Sequence, residues 1–288
     1  MNFLDHLRSS GLIDLVSQTT TYFQRVRMDE ARESETRIGA GTTAGYIFEQ
    51  TDRHPLAILE FEAVLTLSET FSEVAWRKAL ISLMRVCHYG GESLEGQEYG
   101  LQALHAHTKV NDPTNVAYIN RFLAEIALHL DEAEQALQYC EVAARIRQEG
   151  GFEQDAIADA LYWRAKALAK MGRWEDASAT IEQVLALWQE ISEATGVGFC
   201  LRLMGQIHCK EGRYAEAQAH LEYAILLHER TGGEANRFAA VEALGDIYEA
   251  TKRYTEAQTL YNECLQYYTR QHKRLDVERL QAKAAMRL

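Results

Sequence analysis

Proline is nearly missing from this chain, with two in 288 residues. Almost every backbone N–H therefore stays available, and little in the sequence interrupts a helix. Long apolar runs are also missing: none reaches the ~18 residues of a membrane-spanning helix. The opening residues, Met1 to His6, have neither a basic start nor a long apolar stretch, so no secretory signal is expected. The five cysteines are an odd number and contain no Cys-x-x-Cys pair. This argues against a disulfide framework and for reduced thiols in the cytoplasm, with Cys87, Cys140 and Cys264 at core-facing helical positions. Basic side chains are outnumbered: 30 Lys and Arg against 42 Asp and Glu give a net charge of −12, which disfavours nucleic acid as a general partner.

Signatures of chemistry are scarce as well. No P-loop, nucleophile elbow or kinase motif occurs, and no His-x-x-x-His or Glu-x-x-His metal spacing. His105 and His107 are two apart, on different faces of a helix, and His208 is expected to be a core imidazole with a hydrogen-bond partner. Gly39-Ala-Gly41-Thr-Thr-Ala44 loosely follows a dinucleotide fingerprint. That mechanism needs a preceding strand, and Glu33 to Ile38 is polar and helical instead. No catalytic residue, metal or cofactor is expected, and the chain does not read as an enzyme.

What the chain does have is a repeat. Small residues recur at Ala57, Gly96, Ala136, Ala177, Ala217 and Ala257, spaced 39, 40, 41, 40 and 40. A second set runs twelve residues earlier, at Gly45, Met84, Ala124, Ala165, Gly205 and Gly245. Fixed periods of this size mark solenoids, in which each unit buries its apolar face against the next. An apolar residue four before the small one shares its helix face, and Trp174, Tyr214 and Tyr254 lie at the turn, where they are expected to cover the joint. Gly172 and Gly212 suit the left-handed residue that ends a helix, and Asp131 is expected to cap the helix after it, in a turn one residue shorter. Pro55 and Pro113 fit helix starts, and Gly150-Gly151 and Gly232-Gly233 fall between units.

Gly205 with Gly212-Arg213-Tyr214 and Glu216-Ala217 resembles the tetratricopeptide repeat, as does Ala165 with Gly172-Arg173-Trp174 and Asp176-Ala177. The sixth copy, Gly245 with Arg253-Tyr254 and Glu256-Ala257, does too. The resemblance is specific over residues 158–270 and looser over 35–150, where Met84 replaces the marker glycine and Ser93 the turn aromatic. Units of about 40 residues exceed the usual ~34. Similar long units occur in Rap-type peptide-sensing regulators, the repeat parts of large ATPase regulators and kinesin light chains.

The resemblance implies an all-α right-handed superhelix of six helical hairpins at 35–270. Terminal capping helices are expected at 1–34, with a stripe of Leu12, Val16, Thr19, Phe23 and Val26 on a helix of residues 12–34, and at 271–288. It also implies that the first helix of each unit lines a concave groove. Carried over copy by copy, the groove residues are Arg85, His88, Tyr89, Tyr118, Arg121, Tyr162, Lys166, Lys170, Phe199, Arg202, Gln206 and Lys210. With Lys78 they supply seven cations against Glu125 and Asp159, the reverse of the whole-chain balance. Such a lining suits a peptide or protein segment with acidic or C-terminal carboxylate groups. A chaperone-type carboxylate clamp is disfavoured, since its Asn position holds Tyr46, Arg85, Glu125, Lys166, Gln206 and Asp246. The expected role is a non-enzymatic adaptor, or else a signalling-peptide sensor, with a homodimer through the terminal helices as one possible assembly.

Overall fold

A computed structural model describes residues 12–30, 32–271 and 274–285. The described residues are helical throughout, without strands. They divide into two compact units, Met1–Gly150 and Gly151–Leu288. The first holds α1 (Leu12–Met28) and three hairpins: α2 (Ser34–Gln50) with α3 (His54–Phe71), α4 (Glu73–Gly90) with α5 (Ser93–Lys109), and α6 (Pro113–His129) with α7 (Ala133–Glu149). The second holds α8 (Gln154–Lys170) with α9 (Trp174–Glu190), α10 (Ala194–Lys210) with α11 (Tyr214–Thr231), and α12 (Glu234–Ala250) with α13 (Tyr254–Arg270). It ends in α14 (Arg274–Ala285). The expected all-α architecture of six hairpins with terminal helices is the one observed.

A left-handed residue breaks each hairpin. Asp52, Gly91, Asp131, Gly172, Gly212 and Lys252 all have positive φ, between 52° and 95° with those of the inter-hairpin turns. Glycine adopts this conformation freely, and Asp and Asn tolerate it through local hydrogen bonds, whereas Lys252 meets the full Cβ penalty. This corrects the capping role expected for Asp131. Its φ is 68°, and the position before α7 belongs to Glu132, which makes no side-chain cap. The turn at 130–132 is as long as the one at 171–173, so no residue is missing there. Between hairpins the left-handed residues are Asn111, Gly151, Ser192 and Gly232. Asp112 caps α6 by accepting from the Asn115 amide at 3.1 Å, and buried His107 fastens the same carboxylate at 3.0 Å. The hydrogen bond with Asn115, ahead of that with His107, holds the Asp112 carboxyl below its usual range.

Each helix packs on the next within its unit. The backbones of first helices also approach those of first helices two elements on (α2 with α4, α4 with α6, α8 with α10, α10 with α12); among the described residues second helices meet through long side chains, as where the Tyr99 hydroxyl of α5 donates to Glu62 of α3 at 3.2 Å. Within each unit the first helices thus take the tighter, inner side. The core lies between consecutive hairpins: Leu80, Met84, Ala103, Ile119, Phe122, Leu123 and Ile126 in the first unit, Phe238, Val241, Tyr261, Cys264 and Tyr267 in the second. Burial of each large apolar side chain contributes ~1.5–3 kcal/mol.

Some local expectations shift. Tyr214 and Tyr254 start second helices and stay 37 % and 57 % exposed, so they do not seal the joint. Pro55 is the second residue of α3, after His54, and Pro113 opens α6. The first helix ends at Met28, and buried Thr20, not Thr19, lies on its packed face beside Val26. The side chains of Leu12, Val16 and Ala285 lie outside the described residues. Gly39 and Gly41 sit inside α2, with no strand before them to form a phosphate-binding turn.

Two glycine substitutions test the packing. A Cβ at Gly96 would lie 2.9 Å from the Met84 carbonyl oxygen and 3.1 Å from the His88 backbone nitrogen, neither of which can swing aside. At Gly39 nothing lies within 4 Å. Gly96→Ala is therefore expected to lose about 1–3 kcal/mol. Gly39→Ala is expected to gain about 0.5–1 kcal/mol from helix propensity alone. Urea midpoints of the two variants against the parent check both signs.

Candidate functional site

The inner side of the first unit is built from α2, α4 and α6. Arg85 reaches back one hairpin to Glu49 in a bidentate pair, Nε to Oε1 at 2.5 Å and Nη2 to Oε2 at 2.6 Å. The Glu49 bond, with a second from Tyr118, raises the Arg85 pKa above its usual value. Ser82 bridges to the Tyr46 hydroxyl at 3.4 Å over the same 36-residue step. On α6, Arg121 pairs with Glu125 at 2.5 Å and lies over the Phe122 ring at 4.8 Å. Ser93 Oγ stands between two imidazoles, 3.1 Å from His88 Nδ1 and 3.0 Å from His129 Nδ1. Tyr89 is 51 % exposed and leans on Phe122, with ring centroids 5.6 Å apart. Burial, then the Glu125 charge, pushes its phenol up to about 12.

The inner side of the second unit comes from α8, α10 and α12. Tyr162, Trp188, Phe199 and His228 form a run of rings with successive centroids 5.6–6.5 Å apart. Tyr162 is buried at 5 % exposure, so it is part of the wall and does not project from it. The sequence pattern expected it exposed; the Phe199 and Trp188 rings cover it. Arg202 Nη2 donates to the Tyr162 hydroxyl at 3.2 Å. Lys166 Nζ lies 3.7 Å from the centre of the Trp163 ring. Lys170, Gln206 and Lys210 are exposed further along α8 and α10.

At the end of this face α12 turns acidic. Glu242 receives Arg279 and Lys283 of α14, and Lys283 also meets Asp246 at 2.9 Å. Burial opposes ionisation of Glu242, but Arg279 and Lys283 more than offset it and hold the carboxyl below its usual range. Tyr261 donates to Asp246 at 2.5 Å.

The predicted residues sit on first helices, Arg85, His88, Tyr89, Tyr118 and Arg121 in the first unit and the remaining seven in the second. Their charge is less free than the count of cations suggested. Glu49 answers Arg85, and it lies four after Gly45, as His88 lies four after Met84; extending the pattern to the first copy finds it. Sequence reasoning missed Trp188 and His228, which reach this region from second helices; each lies eleven after a small marker, Ala177 and Ala217, so extending the repeat to that offset finds them. His208 is buried as expected. Its Nδ1 lacks the expected partner, and its ring faces His220 at 5.1 Å. Among the described residues one potential ligand group gathers, Cys87 with Glu92 and Glu95. Burial pushes the Cys87 thiol up to about 12, which keeps it protonated and a poor metal ligand. None of the five cysteines is in a disulfide. No helix among the described residues is long and apolar enough to cross a membrane.

Residues 156–225 and 199–270 match the tetratricopeptide repeat family model. The second unit thus carries tetratricopeptide repeats of about 40 residues, and the hairpins of the first unit follow the same period and geometry. No curated protein matches it significantly. Among solved structures it is similar to NprR in complex with its cognate peptide NprX, at TM-score 0.75 and 14 % identity over 99 % of this chain and 85 % of that one. It is similar to a Rap protein complexed with Competence and Sporulation Factor, at TM-score 0.67 and 15 % identity over 94 % and 78 %. It also resembles aspartyl phosphate phosphatase F from Bacillus subtilis, at TM-score 0.64 and 14 % identity over 91 % and 73 %.

His228 gives a pH test of the second unit's packing. It is fully buried, and desolvation, then the Arg202 charge, lowers its pKa from 6.5 to about 4. As pH falls through this window the unfolded chain takes up the proton first, so stability is lost between about 6.5 and 4. His228→Phe should reduce that loss by about 2 kcal/mol, read as a flatter dependence of the urea midpoint on pH. Equal slopes in the two proteins would contradict the assignment.

Proposed function

We propose that the chain binds an extended peptide or protein segment on the inner faces of its first helices and has no catalytic role. The observation that carries this reading is the composition of those faces. Aromatic rings and cations recur at matching positions of the first helices, Tyr118 in the first unit with Phe199 in the second and Arg121 with Arg202, beside Tyr89, Gln206 and Lys210. Aromatic faces hold apolar side chains at little entropic cost, and cations orient carboxylates of the ligand. Five cysteines with no disulfide among them support a reducing compartment, the cytoplasm.

Two roles share this chemistry. An adaptor holds a partner segment; a sensor changes state when a short peptide arrives. NprR and the Rap protein were each crystallised with a peptide or factor, which supports the sensor. Local packing supports it too, because the α14 cations rest on acids of α12, and a ligand carboxylate would compete with those acids for them.

Exposed positions test the reading without touching the core. On an array of random hexapeptides, Gln206→Glu with Lys210→Glu is expected to weaken the best ligands at least ten-fold, as measured by anisotropy, with an unchanged melting curve. Equal affinity would remove the second unit's inner face from the account.

A further inference from the structure

Three buried polar atoms on the inner side of the second unit have no hydrogen-bond partner: Arg202 Nε and both ring nitrogens of His228. The other inner-face guanidiniums meet carboxylates, Arg85 on Glu49, Arg121 on Glu125 and Arg279 on Glu242. Arg202 has only the neutral Tyr162 hydroxyl, at 3.2 Å. His228 is pressed against the backbone of α10, where a Cβ at Gly198 would come within 2.6 Å of its Cε1. Gly198 is one helical turn before Arg202, so the unpaired guanidinium and the unpaired imidazole belong to the same small region. The Phe199 ring lies beside it, 5.6 Å from His228 and 5.8 Å from Tyr162.

Folded proteins pair nearly all buried polar atoms, and those left over mark places where a group is missing. The missing group is defined by what the atoms require. Arg202 Nε only donates, so it needs an acceptor. The guanidinium charge repels a cation, and a neutral oxygen leaves that charge unanswered. A planar carboxylate matches the guanidinium fork and accepts from two N–H groups at once. Neutral His228 supplies a further N–H without adding charge, and the rings form an apolar wall for the residue that carries the carboxylate.

We propose that Arg202, backed by His228 and flanked by the Tyr162 hydroxyl, is a carboxylate-binding subsite that takes the C-terminal carboxyl or an Asp or Glu side chain of the bound peptide. The inference rests on the peptide-binding reading above and narrows it to a defined chemistry at a defined place.

The experiment uses the full chain and the strongest ligand from an array of hexapeptides with free C-termini. Its affinity is compared with that of its C-terminal amide and of a version with each Asp and Glu changed to Asn or Gln. Wild-type protein should lose ten-fold or more with one of the two modified peptides, and which one identifies the source of the carboxylate. Arg202→Gln should bind the parent as weakly as wild type binds that modified peptide, with no further loss on modification. Arg202→Lys should fall between. The subsite is overturned if neither modification weakens wild-type binding, or if Arg202→Gln and the peptide change act additively. The first of these needs only wild-type protein, so a variant that fails to fold leaves the test intact. If no array peptide binds wild type, the peptide-binding reading falls and takes the subsite with it; loss of the subsite alone leaves peptide binding in place.

Discussion

Everything in this molecule depends on how closely two helices of a hairpin can cross. The residue on the first helix and the one sixteen later on the second pack against each other at the crossing. Gly45 faces Phe61, Gly205 faces Leu221 and Gly245 faces Tyr261, and in each a Cβ on the glycine would come within 2.8 Å of the partner side chain. In the second hairpin the roles exchange. Met84 sits on the first helix, and a Cβ at Gly100 opposite would lie 3.0 Å from its sulfur. In each of these pairs a large side chain stands opposite a glycine. Close-packed interiors impose such a rule because a misplaced methylene costs ~1–3 kcal/mol and a missing one leaves a cavity.

The inner face follows from that crossing. Once each hairpin closes on its small residue, the neighbouring positions of the first helix point toward the first helix of the next hairpin. Contacts one period apart then become systematic: Glu49 with Arg85, Tyr162 with Arg202, Glu242 with Arg279. Most of these rungs are complete within the chain, and paired charges serve register better than affinity. Arg202 is the guanidinium rung with a neutral partner, and the proposed carboxylate subsite rests on that difference.

Much of this was legible in the sequence. The period, the six hairpins and the side of each first helix that faces inward could all be read from small residues twelve and forty apart, because helix geometry fixes which positions share a face. Met84 looked like a lost marker because its compensation, Gly100, lies on the other helix. Asp131 looked like a cap because Asp serves both as a cap and as a left-handed residue; only its φ of 68° separates the two. The cationic excess of the inner face was legible as a count, but its neutralisation depended on pairs 36 residues apart, such as Glu49 with Arg85. The unpaired state of His228 was not legible at all, since a lone histidine at a core position gives no sign of what its nitrogens meet.

The most direct test of the central claim, that ligand is received on the inner sides of the first helices, is site-specific photo-crosslinking with a peptide selected for binding. A benzophenone side chain at Tyr89 or Gln206, on first helices, is expected to form adducts with the peptide. The same group at Leu101 or Tyr223, exposed on second helices, is expected to form none. Adducts at Leu101 or Tyr223 with silence at Tyr89 and Gln206 would contradict the account.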